Sequence, residues 1–296
     1  MSSEARQKKQ SRLSEILVSL PSFGWLLVFF LIPTLIVFAI AFKPPDPYGG
    51  VSEGWTLSTI ASLANPNYFV LIVRTMWLSL LTTIGCLTLA LPVGYFLSRT
   101  KPNVRSLLLL LIIVPFWSSF LIRIFAWKSF LHPEGTFKEL LVFLHVVSPN
   151  TPLLYNSTAV VLVMVYTYLP FAILPIYAAA SKFNFQLIEA AMDLGSTRLK
   201  AFCKIFIPNI RNGLLTAMIM VFVPAVGAYV IPDLVGGTQS EMIGNKIAQR
   251  TLIDRNLPQA SALSTLLAVV VVIPMAAITL MQTRAKKLKL EAKNKE

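Results

Sequence analysis

The chain has few charged residues for its length. Of its 296 residues, 13% are Asp, Glu, Lys or Arg, whereas a typical soluble domain has about 25%. Hydrophobic residues make up 55% of the chain, and the mean hydropathy is +0.69. This composition excludes an ordinary soluble domain and indicates an integral membrane protein. The net charge of +13 comes from basic residues that lie between and beyond apolar runs, so we expect no nucleic-acid partner.

Cysteine, histidine and enzyme motifs are equally scarce. Cys86 lies in an apolar run and Cys203 in a polar segment, so a disulfide is not expected. His132 and His145 lie far apart, without a cysteine cluster nearby, and predict no metal site. The chain has neither the G-x-x-x-x-G-K-[ST] loop that holds nucleotide phosphates nor a G-x-S-x-G nucleophile turn. We therefore expect no cofactor and no enzymatic activity.

Six uncharged runs are long enough to cross a bilayer, which requires about 20 helical residues. None contains Asp, Glu, Lys, Arg or His, which excludes a proton-relay pump, a voltage sensor and an intramembrane protease. We predict an all-α integral membrane protein whose transmembrane domain covers 21–283, between an N-terminal segment, 1–20, and a basic tail, 284–296. Each run contains proline, which tends to kink helices. The runs are 22–42, 75–98, 106–122, 158–180, 212–232 and 259–283.

The basic residues predict the orientation of these six helices. If both termini lie on one side, that side holds 18 Lys and Arg residues and the opposite side holds 8. Basic residues are enriched on the cytoplasmic side of membrane proteins. We therefore expect both termini, and the polar loop 182–211, to lie in the cytoplasm.

The polar loop 182–211 is predicted to fold as two helices joined by a glycine turn. Residues 186–194 are good helix formers with apolar side chains at helical spacing. Gly195 follows where a helix commonly ends in the left-handed conformation, and Ser196 or Thr197 can cap a second helix that ends before Pro208. Leu194 and its neighbours would supply an apolar anchor. Spacing alone leaves open whether this loop is an ordinary connection or a docking surface.

The loop resembles the EAA loop of ABC importer permeases, whose pattern is E-A-A-x-x-x-G-x9-I-x-L-P. One departure is Ile207, which stands where leucine is usual. The resemblance implies the type I ABC importer permease fold and a cytoplasmic coupling helix that fits a groove in an ATPase subunit. The residues expected to form this coupling site are Glu189, Ala190, Ala191, Asp193, Leu194, Gly195, Ile205 and Pro208.

Four further segments resemble the polyamine branch of these permeases, in particular the first of the two spermidine/putrescine permease subunits. They are residues 115–131, 165–179, 223–237 and the tetrapeptide MIGN at 242–245. The resemblance implies an ATP-driven importer in the bacterial inner membrane, with a second permease subunit, two ATPase subunits and a periplasmic substrate-binding protein. A permease for ferric iron, sulfate or phosphonate remains an alternative, as does a channel or scaffold without an ATPase partner.

A polyamine would have to cross spans that contain no carboxylate. Burying its charges is costly, so aromatic faces and backbone carbonyls are the remaining means of stabilising them. We expect Asp233, at the outer end of the fifth span, to receive the substrate, although Arg74 and Arg123 count against a simple electrostatic funnel. The alternative is an interfacial aromatic belt with a snorkelling acid. Spacing places Phe222, Val226, Tyr229 and Asp233 on one face of the fifth span, and the other predicted pathway residues are Phe116, Trp117, Tyr166 and Tyr168.

Overall fold

The computed structural model describes residues 19–273 and residue 276. The predicted N-terminal segment up to residue 18, the last part of the sixth run and the basic tail lie outside the described residues. The chain divides into two compact units. The first unit is formed by the parts of the chain before residue 66 and after residue 246, and the second unit by residues 66–246. The boundaries of the predicted transmembrane domain stay a prediction.

The first unit contains helices α1 (Ser19–Ile40) and α12 (Leu257–Ile273). The loop after α1 is stabilised by Asp46, whose carboxylate accepts hydrogen bonds from the Tyr48 N–H at 2.8 Å and the Ser52 hydroxyl at 3.2 Å. Glycines in the left-handed region, among them Gly54 with φ +94°, allow this loop to turn sharply.

The second unit is a helical bundle that contains the polar loop and most of the predicted pathway. Helices α2 to α10 are Pro66–Arg99, Pro102–Trp117, Phe120–Phe130, Thr136–Phe143, Ser157–Ala180, Gln186–Asp193, Arg198–Asn209, Arg211–Val226 and Val230–Val235. A further helix, α11 (Ile243–Leu252), begins in this unit and ends beyond its boundary at residue 246. Helix α3 ends in a 3₁₀ turn, Val114–Trp117, and α8 contains a π-turn, Phe202–Phe206.

The core of this unit is the mutual packing of α2, α6 and α9. Small residues allow these helices to approach closely. A β-carbon on Gly94 would collide with the Ile176 side chain, and one on Gly213 would collide with Ala179. Close packing of this kind stabilises helix pairs in lipid, where no water is available to drive apolar surfaces together.

Three of the predicted spans form continuous helices and two do not. Helices α1, α2 and α6 are each long and apolar enough to cross a membrane. The predicted third span is wrong as a single helix, because the chain bends by 91° between α3 and α4. The predicted fifth span is also wrong as a single helix, because α9 ends at Val226 and α10 begins only at Val230. The described residues contain three such helices, or up to five spans if the bent pairs α3–α4 (91°) and α8–α9 (76°) each count as one, so the number six stays a prediction.

Proline alone does not mark the breaks: Pro115 lies in the 3₁₀ turn at the bend of the third span, but other prolines do not interrupt their helices. Pro92, Pro170 and Pro224 lie inside continuous helices. The prediction that the helix after Gly195 ends before Pro208 is wrong, since α8 continues to Asn209. The π-turn Phe202–Phe206 comes directly before this proline, and its wider turn makes room for a ring that would clash in a regular α-helix.

Candidate functional site: the polar loop and the broken spans

Helix α7 ends in the left-handed glycine that the sequence predicts. Gly195 has φ +86°. The N–H of Ser196 donates to the Ala191 carbonyl at 2.9 Å, and the N–H of Gly195 donates to the Met192 carbonyl at 2.9 Å. This pair of bonds is the Schellman motif, which satisfies carbonyls at the end of a helix. The prediction for Gly195 is therefore confirmed.

Thr197, rather than Ser196, caps the second helix of the loop. Its hydroxyl oxygen accepts a hydrogen bond from the Lys200 N–H at 3.4 Å, at the start of α8. The turn between α7 and α8 is therefore closed on both sides by local hydrogen bonds. Helices α7 and α8 also contact each other, so the loop is a structured element rather than a loose connection.

An aromatic cluster joins this loop to the C-terminal end of α2. The Tyr95 ring lies 5.7 Å from Phe185, 5.3 Å from Phe202 and 5.0 Å from Phe206, each in an edge-to-face arrangement. Phe206 is fully buried. Such ring pairs contribute about 0.5–1.5 kcal/mol each beyond the burial of their surface. Sequence reasoning missed this cluster, for which the only signal was the i, i+4 spacing of Phe202 and Phe206.

Glu189 points toward Arg99, the last residue of α2. The two side chains are 3.9 Å apart, and the Glu189 side chain is 62% exposed. The Arg99 guanidinium also donates to the Tyr95 hydroxyl at 2.9 Å and lies 5.4 Å from the Phe185 ring. An exposed ion pair of this length contributes little to stability, so the Glu189 carboxylate remains available to a partner. Glu189, Arg99 and Tyr95 border a cleft of about 690 Å³ that Met192 and Leu199 also line.

The outer surface of the loop presents exposed apolar side chains. Leu194 is 89% exposed and Leu199 is 73% exposed, whereas Ile188 faces inward and is buried. This surface is suited to docking and carries no reactive constellation. In the part of the chain that is described, no group of His, Cys, Asp and Glu could hold a metal ion. Of the remaining predicted coupling residues, Ala190, Asp193 and Pro208 are exposed, and Ala191 and Ile205 are half-buried.

The break between α9 and α10 is stabilised by Asn245, from the MIGN segment. Its side-chain amide donates to the Tyr229 carbonyl at 2.8 Å, and its side-chain oxygen accepts from the Met242 N–H at 3.1 Å. The Tyr229 carbonyl also accepts from the Asp233 N–H at 3.0 Å. Because the helix is interrupted, the single face predicted to carry Phe222, Tyr229 and Asp233 is not formed, which corrects the sequence prediction.

Two of the predicted pathway tyrosines have packing partners in the bundle. The Tyr168 hydroxyl donates to the Pro224 carbonyl at 3.3 Å, near the end of α9, and the residue is buried. The Tyr166 ring packs edge-on against Trp127 at 5.3 Å. Phe171, which sequence reasoning missed, lies between two predicted residues, 6.5 Å from Tyr168 and 6.2 Å from Phe116.

The other predicted pathway residues differ in their exposure to solvent. Phe222 is half-buried, whereas Tyr229 is 47% exposed and Trp117 is 82% exposed. The Asp233 side chain is exposed in the first turn of α10. One face of Phe116 is covered by the guanidinium of Arg123, 4.6 Å from the ring centre. The structure thus leaves Trp117, Tyr229 and Asp233 as the accessible members of the predicted set.

Comparison with known proteins gives consistent relatives in sequence and in fold. The chain is 36% identical over 247 residues to the spermidine/putrescine transport system permease protein PotB of Escherichia coli K12, a match that covers 83% of this chain and 90% of the relative. It is 35% identical over 266 residues to PotB of Haemophilus influenzae, covering 90% of this chain and 92% of the relative.

Solved structures show the same fold at lower identity. A bacterial ABC transporter involved in the import of the polysaccharide alginate matches with a TM-score of 0.70 at 18% identity, over 94% of this chain and 99% of that chain. The MetNI methionine ABC transporter matches with a TM-score of 0.53 at 18% identity, over 74% of this chain and 98% of that chain. The fold is therefore that of type I ABC importer permeases.

The family assignment rests on nearly the whole chain. The family model described as "binding-protein-dependent transport system inner membrane component" matches residues 10–287. This match contains the polar loop, both broken spans and the core helices. The chain belongs to this family, and it is a transmembrane permease subunit of an ABC importer.

Proposed function

We propose that this chain is one of two different permease subunits of an ATP-driven importer of spermidine and putrescine. The observation that carries the proposal is the 35% identity, over 90% of the chain, to a relative that is named for this transport and matches over 92% of its own length. In the proposed complex, a periplasmic binding protein delivers the polyamine, and two copies of a cytoplasmic ATPase drive its translocation.

The orientation follows from the distribution of charge. Both termini lie in the cytoplasm, since this arrangement places 18 of the 26 basic residues on that side. The loop that contains α7 and α8 then faces the ATPase subunits. Asp233 lies at the outer end of the fifth span, toward the binding protein.

The loop couples the ATPase to the bundle through its two faces. Leu194 and Leu199 on the outer face enter the ATPase groove, and each contributes about 1.5–3 kcal/mol when fully buried. Glu189 makes a polar contact at the rim of the groove. On the inner face, Tyr95 joins the loop to α2, so a movement of the ATPase is transmitted to a core helix of the bundle.

The proposed substrate pathway begins at the accessible residues of the two broken spans. Asp233 attracts the first ammonium group, and Tyr229 and Trp117 offer aromatic faces, each contributing about 0.5–2 kcal/mol to the binding of a cation. Because Phe116, Tyr166, Tyr168 and Phe222 are partly or fully packed, they form the wall of this pathway and support its shape.

Reconstitution tests this function directly. The complex purified through a tag on this chain is placed in proteoliposomes with its binding protein, and uptake of labelled spermidine and putrescine is measured with and without ATP. We expect ATP-dependent uptake, and ATP hydrolysis stimulated by the polyamine-loaded binding protein. Stimulation only by ferric iron, sulfate or phosphonate would contradict the polyamine assignment. Uptake that needs neither ATP nor a co-purifying ATPase would indicate a channel.

A further inference from the structure

The side chain of Arg123 bridges the sharp bend of the third span. Nη1 of Arg123, on α4, reaches back across the break and donates to the Pro115 carbonyl at 2.6 Å and to the Ser118 carbonyl at 3.3 Å. Its guanidinium lies over the Phe116 ring, 4.6 Å from the centroid, and its Nε is buried. The hydroxyl of Ser118 also donates to the Pro115 carbonyl, at 2.6 Å.

These contacts supplement the backbone hydrogen bonding at the break. A regular helix would use the carbonyls of Pro115 and Ser118 in hydrogen bonds to N–H groups four residues further on. Here the Pro115 carbonyl instead accepts a long backbone bond, 3.4 Å, from the Ser118 N–H, together with the side-chain bonds from Ser118 and Arg123. Carbonyls without partners are costly in a membrane. Two carbonyl oxygens and an aromatic face form a suitable environment for a cation, and here the cation belongs to the chain itself.

The bend determines where α4 lies. Helix α4 packs against α10, the helix that carries Asp233. If the bend of 91° between α3 and α4 relaxes, α4 leaves this position and α10 loses one of its neighbours. The conformation at Arg123 is therefore linked to the position of Asp233 through one helix contact.

We infer that Arg123 is a positioning residue: its guanidinium holds the bend of the third span and thereby places α4 against the helix that carries Asp233. In this role, the positive charge of Arg123 at the outer border is not free to repel a polyamine. The charge is compensated by two carbonyl oxygens and the Phe116 ring, so it acts on the backbone rather than on the substrate. The consequence for uptake rests on the proposed function, whereas the consequence for the bend does not.

The test uses the full complex with spin labels on both sides of the bend. Labels are placed on cysteines that replace Leu107 on α3 and Phe125 on α4, both more than half exposed, after Cys203 is changed to serine. The distance between the labels is measured by double electron–electron resonance in Arg123→Ala and Arg123→Lys, without substrate. Uptake is measured in the same variants before labelling. Lys128→Gln, which removes a cation from the same helix at a distance from the break, is the matched control.

The loss of the bend and of uptake should be largest in Arg123→Ala and smaller in Arg123→Lys. In Arg123→Ala, we expect the distance distribution to broaden and uptake to fall on the order of tenfold or more, as expected for the loss of hydrogen bonds to a charged donor. Arg123→Lys should retain part of both properties, because an ammonium reaches the carbonyls but does not stack on Phe116 as a guanidinium does. Added methylguanidinium should restore part of the wild-type distance and uptake in Arg123→Ala. Lys128→Gln should resemble the wild type.

Other results would overturn either the role of Arg123 or the proposed function. An unchanged distance distribution in Arg123→Ala would overturn the inference, and so would a changed distribution with normal uptake. Loss of both properties in Ala and Lys alike, without rescue by methylguanidinium, would also overturn it, because a general packing role would then explain the loss. If the wild-type complex takes up no polyamine, the proposed function fails, and the distance measurement still decides whether Arg123 holds the bend.

Discussion

Substitution of Gly195 tests whether the shape of the loop, rather than its composition, couples the ATPase to transport. With φ +86°, this residue lies in the left-handed region, and a β-carbon added to it would meet no atom within 4 Å. The cost of an alanine inside this chain is therefore confined to the backbone. That cost is about 1–2 kcal/mol, which lowers the population of the closed turn about 5- to 30-fold relative to its alternatives.

Three substitutions separate backbone strain from a clash with the ATPase. Asparagine tolerates the left-handed region better than alanine does, although it is larger. If the backbone conformation matters, Gly195→Asn should retain more coupling than Gly195→Ala. If instead the groove leaves no space, asparagine should be worse than alanine. Gly195→Val combines both costs and should be the most impaired.

The assay is the stimulation of ATP hydrolysis by the loaded binding protein in proteoliposomes, together with ATP-dependent uptake. We expect stimulation in Gly195→Ala to fall on the order of fivefold, while the complex still assembles in the membrane. Gly54→Ala provides a matched control, because Gly54 also has a left-handed backbone, φ +94°, in open space but lies far from the loop in the sequence. Wild-type stimulation and uptake in both Gly195→Ala and Gly195→Val would refute the reasoning.

Three further predictions concern the pathway, the broken fifth span and the aromatic cluster. Asp233→Asn and Tyr229→Ala should each lower the rate or raise the KM of polyamine uptake in complexes that still bind the ATPase, and wild-type kinetics in both would show that these residues are structural. Asn245→Ala should lower the melting temperature in detergent, because the buried Met242 N–H loses its bond to Asn245, at a cost of about 1–3 kcal/mol, and the Tyr229 carbonyl keeps only its bond from the Asp233 N–H; an unchanged melting temperature would contradict this role. Tyr95→Leu should destabilise the complex by more than about 1 kcal/mol, because it removes the ring contacts. Glu189→Gln should change the stability by less than about 1 kcal/mol, because it removes only an exposed ion pair. Equal thermal shifts in the two variants would contradict the stabilising role of the ring contacts.

The polar loop was predictable in most details because its structure is encoded locally. The end of α7 at Asp193, the left-handed Gly195 and a cap on the second helix all follow from side chains within four residues of each turn. The prediction failed at Pro208, where the π-turn admits the ring and α8 continues. The aromatic cluster was missed because Tyr95 and Phe206 are more than a hundred positions apart in the sequence.

The breaks in the third and fifth spans were not predictable from hydropathy. An apolar run has the same mean hydropathy whether its helix is straight or bent, so the sequence indicated spans but not their shape. Proline alone did not predict where the helices break, since Pro92 and Pro170 lie in unbroken helices. Side chains outside the two runs also bond the backbone at the bends: Arg123 at the third span and Asn245 at the fifth.

The sequence by itself determined the membrane class and most of the local geometry of the polar loop, because these depend on composition and on contacts between near neighbours; the orientation that its charges predict stays a prediction. Only the tertiary structure decided which predicted aromatics are open and which are packed. Phe116 lies under a guanidinium and Tyr168 donates to a carbonyl of another helix, whereas Trp117 remains exposed. The physical reason is that an aromatic ring can face a cation or another ring, and a tyrosine hydroxyl can also donate to a backbone carbonyl, so the sequence leaves several partners open and the folded chain selects one.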